Sequence, residues 1–258
     1  MSDMGTKPSD GPGALSDEIT QAARSSWAAR RAWLGWAMVA LFGALAALMR
    51  YVVDPLPVDF SAYRAAAETF ALGQNPYGDA LFDAPSYEGF VYIYPPGTLP
   101  LLRPILWLPP RLMAGVDAIL HVVAISASMA WIHRRFSLKV PLSLLVLLTF
   151  MWRPFTDDIS VGNLAAYMFA AFLCCVWLSE TRPGRRWHLG LAVACGIALA
   201  FKPMWGLSAG VVLLWRRRRG LAAALLAGAL IVAGLSLFPW NGEVLVGPWL
   251  SRVEALRA

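Results

Sequence analysis

Most of the apparatus of soluble enzymes is missing from this chain. There is no Gly-rich phosphate loop, no His-Glu-x-x-His, no paired Cys-x-x-Cys and no Asp-x-Asp clamp of the kind that holds a nucleotide sugar through a metal. Charge is scarce as well: 15% of the 258 residues are Asp, Glu, Lys or Arg, against about 25% in ordinary soluble domains. Cysteine is limited to three residues, Cys174, Cys175 and Cys195. All three lie inside apolar runs, where a thiol behaves as a small hydrophobe, so neither a disulfide framework nor a metal site is expected. No metal and no cofactor are implied.

Apolar residues are abundant instead. They make up 58% of the chain, more than a soluble core of this length can bury, and lipid must take up the excess. The apolar runs predict helical spans at 33–53, 112–132, 138–152, 161–179, 187–201, 204–215 and 221–240, because lipid-exposed backbone has to satisfy its own hydrogen bonds. The expectation is an all-α polytopic membrane protein with about seven transmembrane helices. Its organisation is a disordered cytoplasmic tail at 1–26, rich in Gly, Pro, Ser and Asp, followed by one membrane domain at 27–258.

The net charge of +6 does not point to nucleic acid, because the basic residues fall in short clusters between apolar runs. Those clusters are Arg24/Arg30/Arg31, His133/Arg134/Arg135/Lys139, Arg182/Arg185/Arg186/His188 and 216–219. Placing all four in the cytoplasm orients every span. The chain is then a multi-pass plasma (inner) membrane protein, with its N-terminus cytoplasmic and its longest outer segment, 54–110, on the non-cytoplasmic side.

That outer segment is expected to carry helices of its own. Phe60, Tyr63, Ala67, Phe70 and Ala71 recur at helical spacing, with Arg64 and Glu68 on other faces, which predicts an amphipathic interfacial helix over 59–72. Gly73 stops it. The stretch 96–108 is interrupted by Pro100, Arg103 and Pro104, which suits a re-entrant or surface-lying helix better than a span.

Chemistry must come from the few polar residues on this outer face. Asp59 is placed either to accept a proton from an approaching hydroxyl or to cap the helix that starts there, and the two roles are compatible. Lys202, between an apolar helix and Pro203, is placed either to meet an anion or to snorkel to the headgroups. Tyr92-Ile93-Tyr94-Pro95-Pro96 is an aromatic wall or an interfacial anchor. Asp157 and Asp158 read as solvated loop residues.

In order along the chain, Val58-Asp59-Phe60-Ser61-Ala62-Tyr63, Gly73-Gln74-Asn75-Pro76-Tyr77, Tyr94-Pro95-Pro96, Val161-Gly162-Asn163 and Ala200-Phe201-Lys202-Pro203 resemble glycosyltransferase family 87. This group of the GT-C superfamily includes polyprenol-phosphate-mannose-dependent mannosyltransferases. The resemblance implies a GT-C-like helical bundle and an inverting hexosyltransferase. Its partners would be a polyprenyl-phosphate-linked sugar, a lipid or glycan acceptor and membrane lipids. Asp59 would be the catalytic base, Lys202 and Asn163 would line the pocket near the donor phosphate, and Tyr63, Arg64 and Tyr94 would complete the binding wall. Family members usually read Gly-Gln-x-Asn where this chain has Val161-Gly162-Asn163, and they continue through further spans, so a C-terminally short member is expected.

Two other classes stay open on the residues alone. A transporter component would carry charges near the bilayer midplane and discontinuous helices. A non-catalytic scaffold of envelope biosynthesis would not need Asp59.

Overall fold

The computed structural model describes residues 33–52, 57–77, 92–181, 186–240, 242 and 244–255. The tail at 1–26 and the basic residues Arg24, Arg30, Arg31, Arg182 and Arg185 lie outside the described residues. Among the described residues there is no strand, and the chain is an all-α membrane protein.

Helix α1 is Trp33–Val52 and α2 is Val58–Ala71. A broken helical stretch follows, made of a 3-10 turn at Pro96–Thr98, the four-residue α3 at Leu99–Leu102 and a second 3-10 turn at Arg103–Leu106. Then come α4 (Pro110–Arg135), α5 (Leu142–Met151), α6 (Arg153–Val161), α7 (Ala165–Glu180), α8 (Arg186–Leu199), α9 (Pro203–Trp215), α10 (Arg219–Ser236) and α11 (Val246–Ala255).

Proline sets many of these boundaries. It lacks an N–H and fixes φ, so it opens helices and cannot continue them. Pro110 and Pro203 lie in the first turns of α4 and α9, while Pro109 and Pro141 stand at the N-caps of α4 and α5. Pro100 and Pro104 reset the helix every few residues between 96 and 106, which leaves three turns there and no span.

Helices α1, α4 and α10 are long and apolar enough to cross a membrane. The other apolar helices, α5, α7, α8 and α9, correspond one for one with expected spans but are shorter. Ten residues at 1.5 Å each carry α5 only about 15 Å, half of a hydrocarbon core of about 30 Å. The lateral faces are apolar: Leu45, Leu48, Leu120, Val123, Leu226 and Leu230 are all exposed large hydrophobics.

Inside the bundle, small residues let the helices approach. A methyl group on Gly196 would sit 2.0 Å from the Leu225 carbonyl oxygen, and one on Gly228 would sit 2.2 Å from that of Val193. Backbone therefore meets backbone where α8 crosses α10, the kind of contact that replaces hydrophobic collapse between helices in lipid. A core of Cys175, Cys195, Leu199, Leu213 and Leu225 continues from this crossing into α7 and α9.

The alternating helix directions sort the polar residues into two ends. At one end Arg135 pairs with Glu180 at 2.8 Å, and Arg218 donates to the carbonyls of Ser179 and Thr181. At the other end α1 and α8 finish, α4 and α7 begin, and α2 packs against the broken stretch and α6.

Two expectations meet the structure at this end. Helix α2 forms as the spacing predicts, with Phe60, Tyr63 and Ala67 inward, but Ala62, Ala65 and Ala66 are buried too. Protein covers most of this helix. The segment around Asp157 and Asp158 is helix α6, not a loop; Asp157 is solvated as expected, but Asp158 is 6% exposed.

Candidate active site

Asp59 sits in the first turn of α2, and Pro57, not Asp59, is the N-cap. No side chain caps this helix, which removes the capping role considered for Asp59. Its carboxylate is half-buried. Burial pushes its pKa above the usual carboxylate range, and the positive charge of Lys202 pulls it partly back.

Lys202 is the N-cap residue of α9, in the turn that joins α8 to α9. Its ammonium does not reach away toward headgroups: Nζ donates to Asn163 Oδ1 at 2.8 Å. Asn163 stands in the turn between α6 and α7, a turn made possible by Gly162 at φ 75°. A side chain at Gly162 would be strained there and would meet Phe60 Cβ at 2.7 Å. Phe60 is the neighbour of Asp59, so this close approach joins the α6–α7 turn to α2.

Tyr63 and Tyr94 close the cluster. Their hydroxyls are 3.0 Å apart and their rings are tilted at 5.5 Å between centroids. Tyr94 also meets Phe201, the residue before Lys202, edge-on at 5.7 Å. Burial raises the pKa of Tyr94, the hydrogen bond with Tyr63 opposes this, and the negative charges of Asp59 and Asp158 add to the rise. Both tyrosines are therefore neutral hydroxyls, able to donate and accept. Asp158 is held on the inner side, its Oδ2 accepting the Ala166 N–H at 2.9 Å. Burial raises its pKa as well, against the Ala166 hydrogen bond and the charges of His121 and Lys202.

Of the residues singled out from the sequence, Asp59, Lys202, Asn163, Tyr63 and Tyr94 thus gather in one place, from α2, the α6–α7 turn, the α8–α9 turn and the segment before Pro96. Arg64 goes elsewhere. Its Nη1 donates to the carbonyls of Ile105 and Leu108 at 2.9 and 3.1 Å, and its Nε lies 2.8 Å from Glu68 Oε1, so it clamps α2 to the broken stretch.

Sequence reasoning passed over a second polar group beneath this cluster: Arg50, Asp117, His121 and Tyr167. Arg50 Nη1 is 2.5 Å from Asp117 Oδ2, with side chains 5% and 14% exposed. Tyr167 donates to Asp117 Oδ1 at 2.7 Å. The signal was present, since Arg50 and Asp117 interrupt apolar runs near span ends and His121 interrupts one at its middle. The pentad Gly206-Leu207-Ser208-Ala209-Gly210 has the spelling of a nucleophile elbow but lies within α9, where Ser208 donates to the Met204 carbonyl. Among the described residues, no three His, Cys, Asp or Glu side chains form a metal-binding group.

An all-helical membrane bundle with a carboxylate, an ammonium and two tyrosines at one end defines a class of membrane protein with a polar site at its rim. Residues 92–257 match glycosyltransferase family 87, and the chain belongs to that family. It is also similar to an α-(1→3)-arabinofuranosyltransferase of Mycobacterium tuberculosis, in strains CDC 1551 and H37Rv alike. The identity is 29% over 184 residues, covering 69% of this chain and 41% of the relative. The match therefore covers about two fifths of the length of these curated relatives. No solved structure matches it.

Proposed function

We propose that this chain is a membrane glycosyltransferase that moves a sugar from a polyprenyl phosphate to a hydroxyl of a lipid or glycan acceptor on the non-cytoplasmic face. The observation that carries this reading is one shared polar cluster: a half-buried Asp59 carboxylate that feels the charge of Lys202, while the lysine is held by the neutral amide of Asn163. Asp59 takes the proton of the acceptor hydroxyl, and the oxygen attacks the anomeric carbon from the side opposite the phosphate. The bond from that carbon to the phosphate oxygen breaks, the oxygen keeps the electron pair, and the anomeric centre inverts. Lys202 offsets the charge on the departing polyprenyl phosphate. Tyr63 and Tyr94 offer hydroxyls and ring faces to the sugar.

The family resemblance favours a hexose, mannose, as the transferred sugar. The name of the mycobacterial relatives favours an arabinofuranosyl group as a second reading. Both share the phosphate leaving group that Lys202 addresses. The basic end, with Arg135, Lys139 and 216–219, supports a multi-pass orientation in which that end is cytoplasmic and the Asp59 end faces outward.

The test is transfer from polyprenyl-phosphate mannose and polyprenyl-phosphate arabinofuranose to a membrane acceptor by the full chain. Product from one of them, lost in Asp59→Asn, is the expected result. Product formation that Asp59→Asn leaves unchanged would remove Asp59 from the role of base.

A further inference from the structure

Behind Asn163 lies polar machinery that the transfer step does not use. His121, on α4, is fully buried. Its Nε2 is 2.6 Å from the backbone oxygen of Asn163. A carbonyl only accepts, so this nitrogen carries the proton and donates. On its other side, Nδ1 faces the Asp117 carbonyl at 2.9 Å and the Tyr167 hydroxyl at 3.0 Å. Asp117 in turn is gripped by Arg50 from α1 and by Tyr167 from α7. Three helices thus converge on one buried ionic group, and His121 extends it to the α6–α7 turn.

Asn163 has little freedom at the receiving end. Its backbone oxygen is taken by His121, its N–H donates to the Asp158 carbonyl at 3.1 Å, and its Oδ1 accepts both the Leu164 N–H at 2.6 Å and the Lys202 ammonium. A shift of His121 therefore moves the atom on which Lys202 rests. Stability does not require this design, because well-packed apolar residues commonly replace a buried ionic group at no loss. Such residues offer no donor to Asn163.

We propose that His121 and Asp117 are positioning residues that hold the Asn163 turn and, through Asn163 Oδ1, set the Lys202 ammonium against Asp59. The proposal rests on the reading of Lys202 given above, as the charge that meets the leaving phosphate. It extends that site from the outer rim into the bundle, and reacting groups gain most when the shell behind them is rigid.

The experiment uses the full chain in lipid nanodiscs and two readouts. The first is the rate of amine acylation at Lys202, followed by mass spectrometry, with the exposed Lys139 at the far end of the bundle as internal reference. His121→Phe is expected to raise labelling of Lys202 several-fold and leave Lys139 unchanged. His121→Gln, whose amide N–H can replace Nε2–H, is expected to restore the slow rate. Unchanged Lys202 labelling in His121→Phe overturns the proposal. If His121→Phe does not fold, His121→Met, a flexible apolar side chain without an N–H donor, is read by the same criterion.

The second readout is a transfer assay in a double-mutant cycle. His121→Phe should lower transfer about tenfold in the otherwise native chain and have no further effect on Lys202→Ala. Additive losses overturn the proposal, since a purely structural His121 would weaken both backgrounds equally. If Lys202→Ala alone leaves transfer intact, the reading of Lys202 fails, while the labelling result still decides whether His121 positions it.

Discussion

Lys202 donates to Asn163 Oδ1 across 2.8 Å, although 39 residues separate the two in the chain. The partner matters because it is an amide. A carboxylate at that place would neutralise the ammonium, whereas an amide oxygen holds its direction and leaves its charge available for a phosphate. Asp59 and Asp158 both feel that charge.

Asp59→Asn should reduce transfer by about 10²- to 10⁴-fold, the usual worth of a general base. The melting temperature should stay within a few degrees of the native protein's, because Asp59 caps no helix. A steady-state transfer assay and a thermal melt on the same preparation check both halves.

The acid limb of the rate profile follows from the direction of the Asp59 shift. A base works ionised, and burial raises this pKa, so activity should fall with decreasing pH through a limb above the ordinary aspartate value of about 3.9. Lys202 opposes the rise. Lys202→Ala should therefore move the limb to still higher pH, besides lowering kcat/KM for the donor. A limb that moves to lower pH in Lys202→Ala would contradict the coupling.

Arg50→Ala and Asp117→Ala should each destabilise the protein by about 3–5 kcal/mol, because each leaves a buried charge without its partner. The double replacement Arg50→Met with Asp117→Leu should destabilise much less than either single change. It also removes the Arg50 Nε and Nη2 groups, which have no hydrogen-bond partner among the described residues. Denaturation of the three variants in one detergent gives the comparison.

Gly162→Ala should lose activity and stability together. The left-handed backbone costs a non-glycine residue about 1–2 kcal/mol, and the new methyl would press on Phe60 Cβ beside Asp59. The loss of transfer should exceed what the drop in folded fraction explains.

On α10, Gly228→Ala should destabilise by about 1–3 kcal/mol, because its methyl meets the backbone of α8. Gly234→Ala, on the same helix, has nothing within 4 Å and should be neutral or slightly stabilising. Equal effects at the two positions would mean that α8 and α10 do not touch as described.

Helix existence was legible from residue chemistry alone. The apolar runs marked α1, α4, α5, α7, α8, α9 and α10, because a lipid-facing helix needs apolar side chains on most of its surface and that requirement is written locally. The spacing of Phe60, Tyr63 and Ala67 marked α2 for the same reason. Helix α6 was not legible: Asp157 is solvated as it looks, but Asp158 looks the same in one dimension, and only the approach of α7, which brings the Ala166 N–H to Asp158, makes its burial tolerable. Arg64 shows the opposite error. A cation five residues after Asp59 looked like part of the site, but about 140° of helix rotation separates the two and points Arg64 at the carbonyls of Ile105 and Leu108.

The sequence by itself determined an all-helical membrane protein with its basic clusters between apolar runs, because transfer free energy and backbone satisfaction in lipid depend on composition along short stretches. Only the tertiary structure decided which polar residues meet. Asp59, Asn163 and Lys202 come from three separate segments, and Arg50, Asp117, His121 and Tyr167 from three helices. Their encounters depend on how separate helices approach, as where the turn at Gly162 comes up against Phe60, and such distances of a few ångströms are invisible in any local pattern.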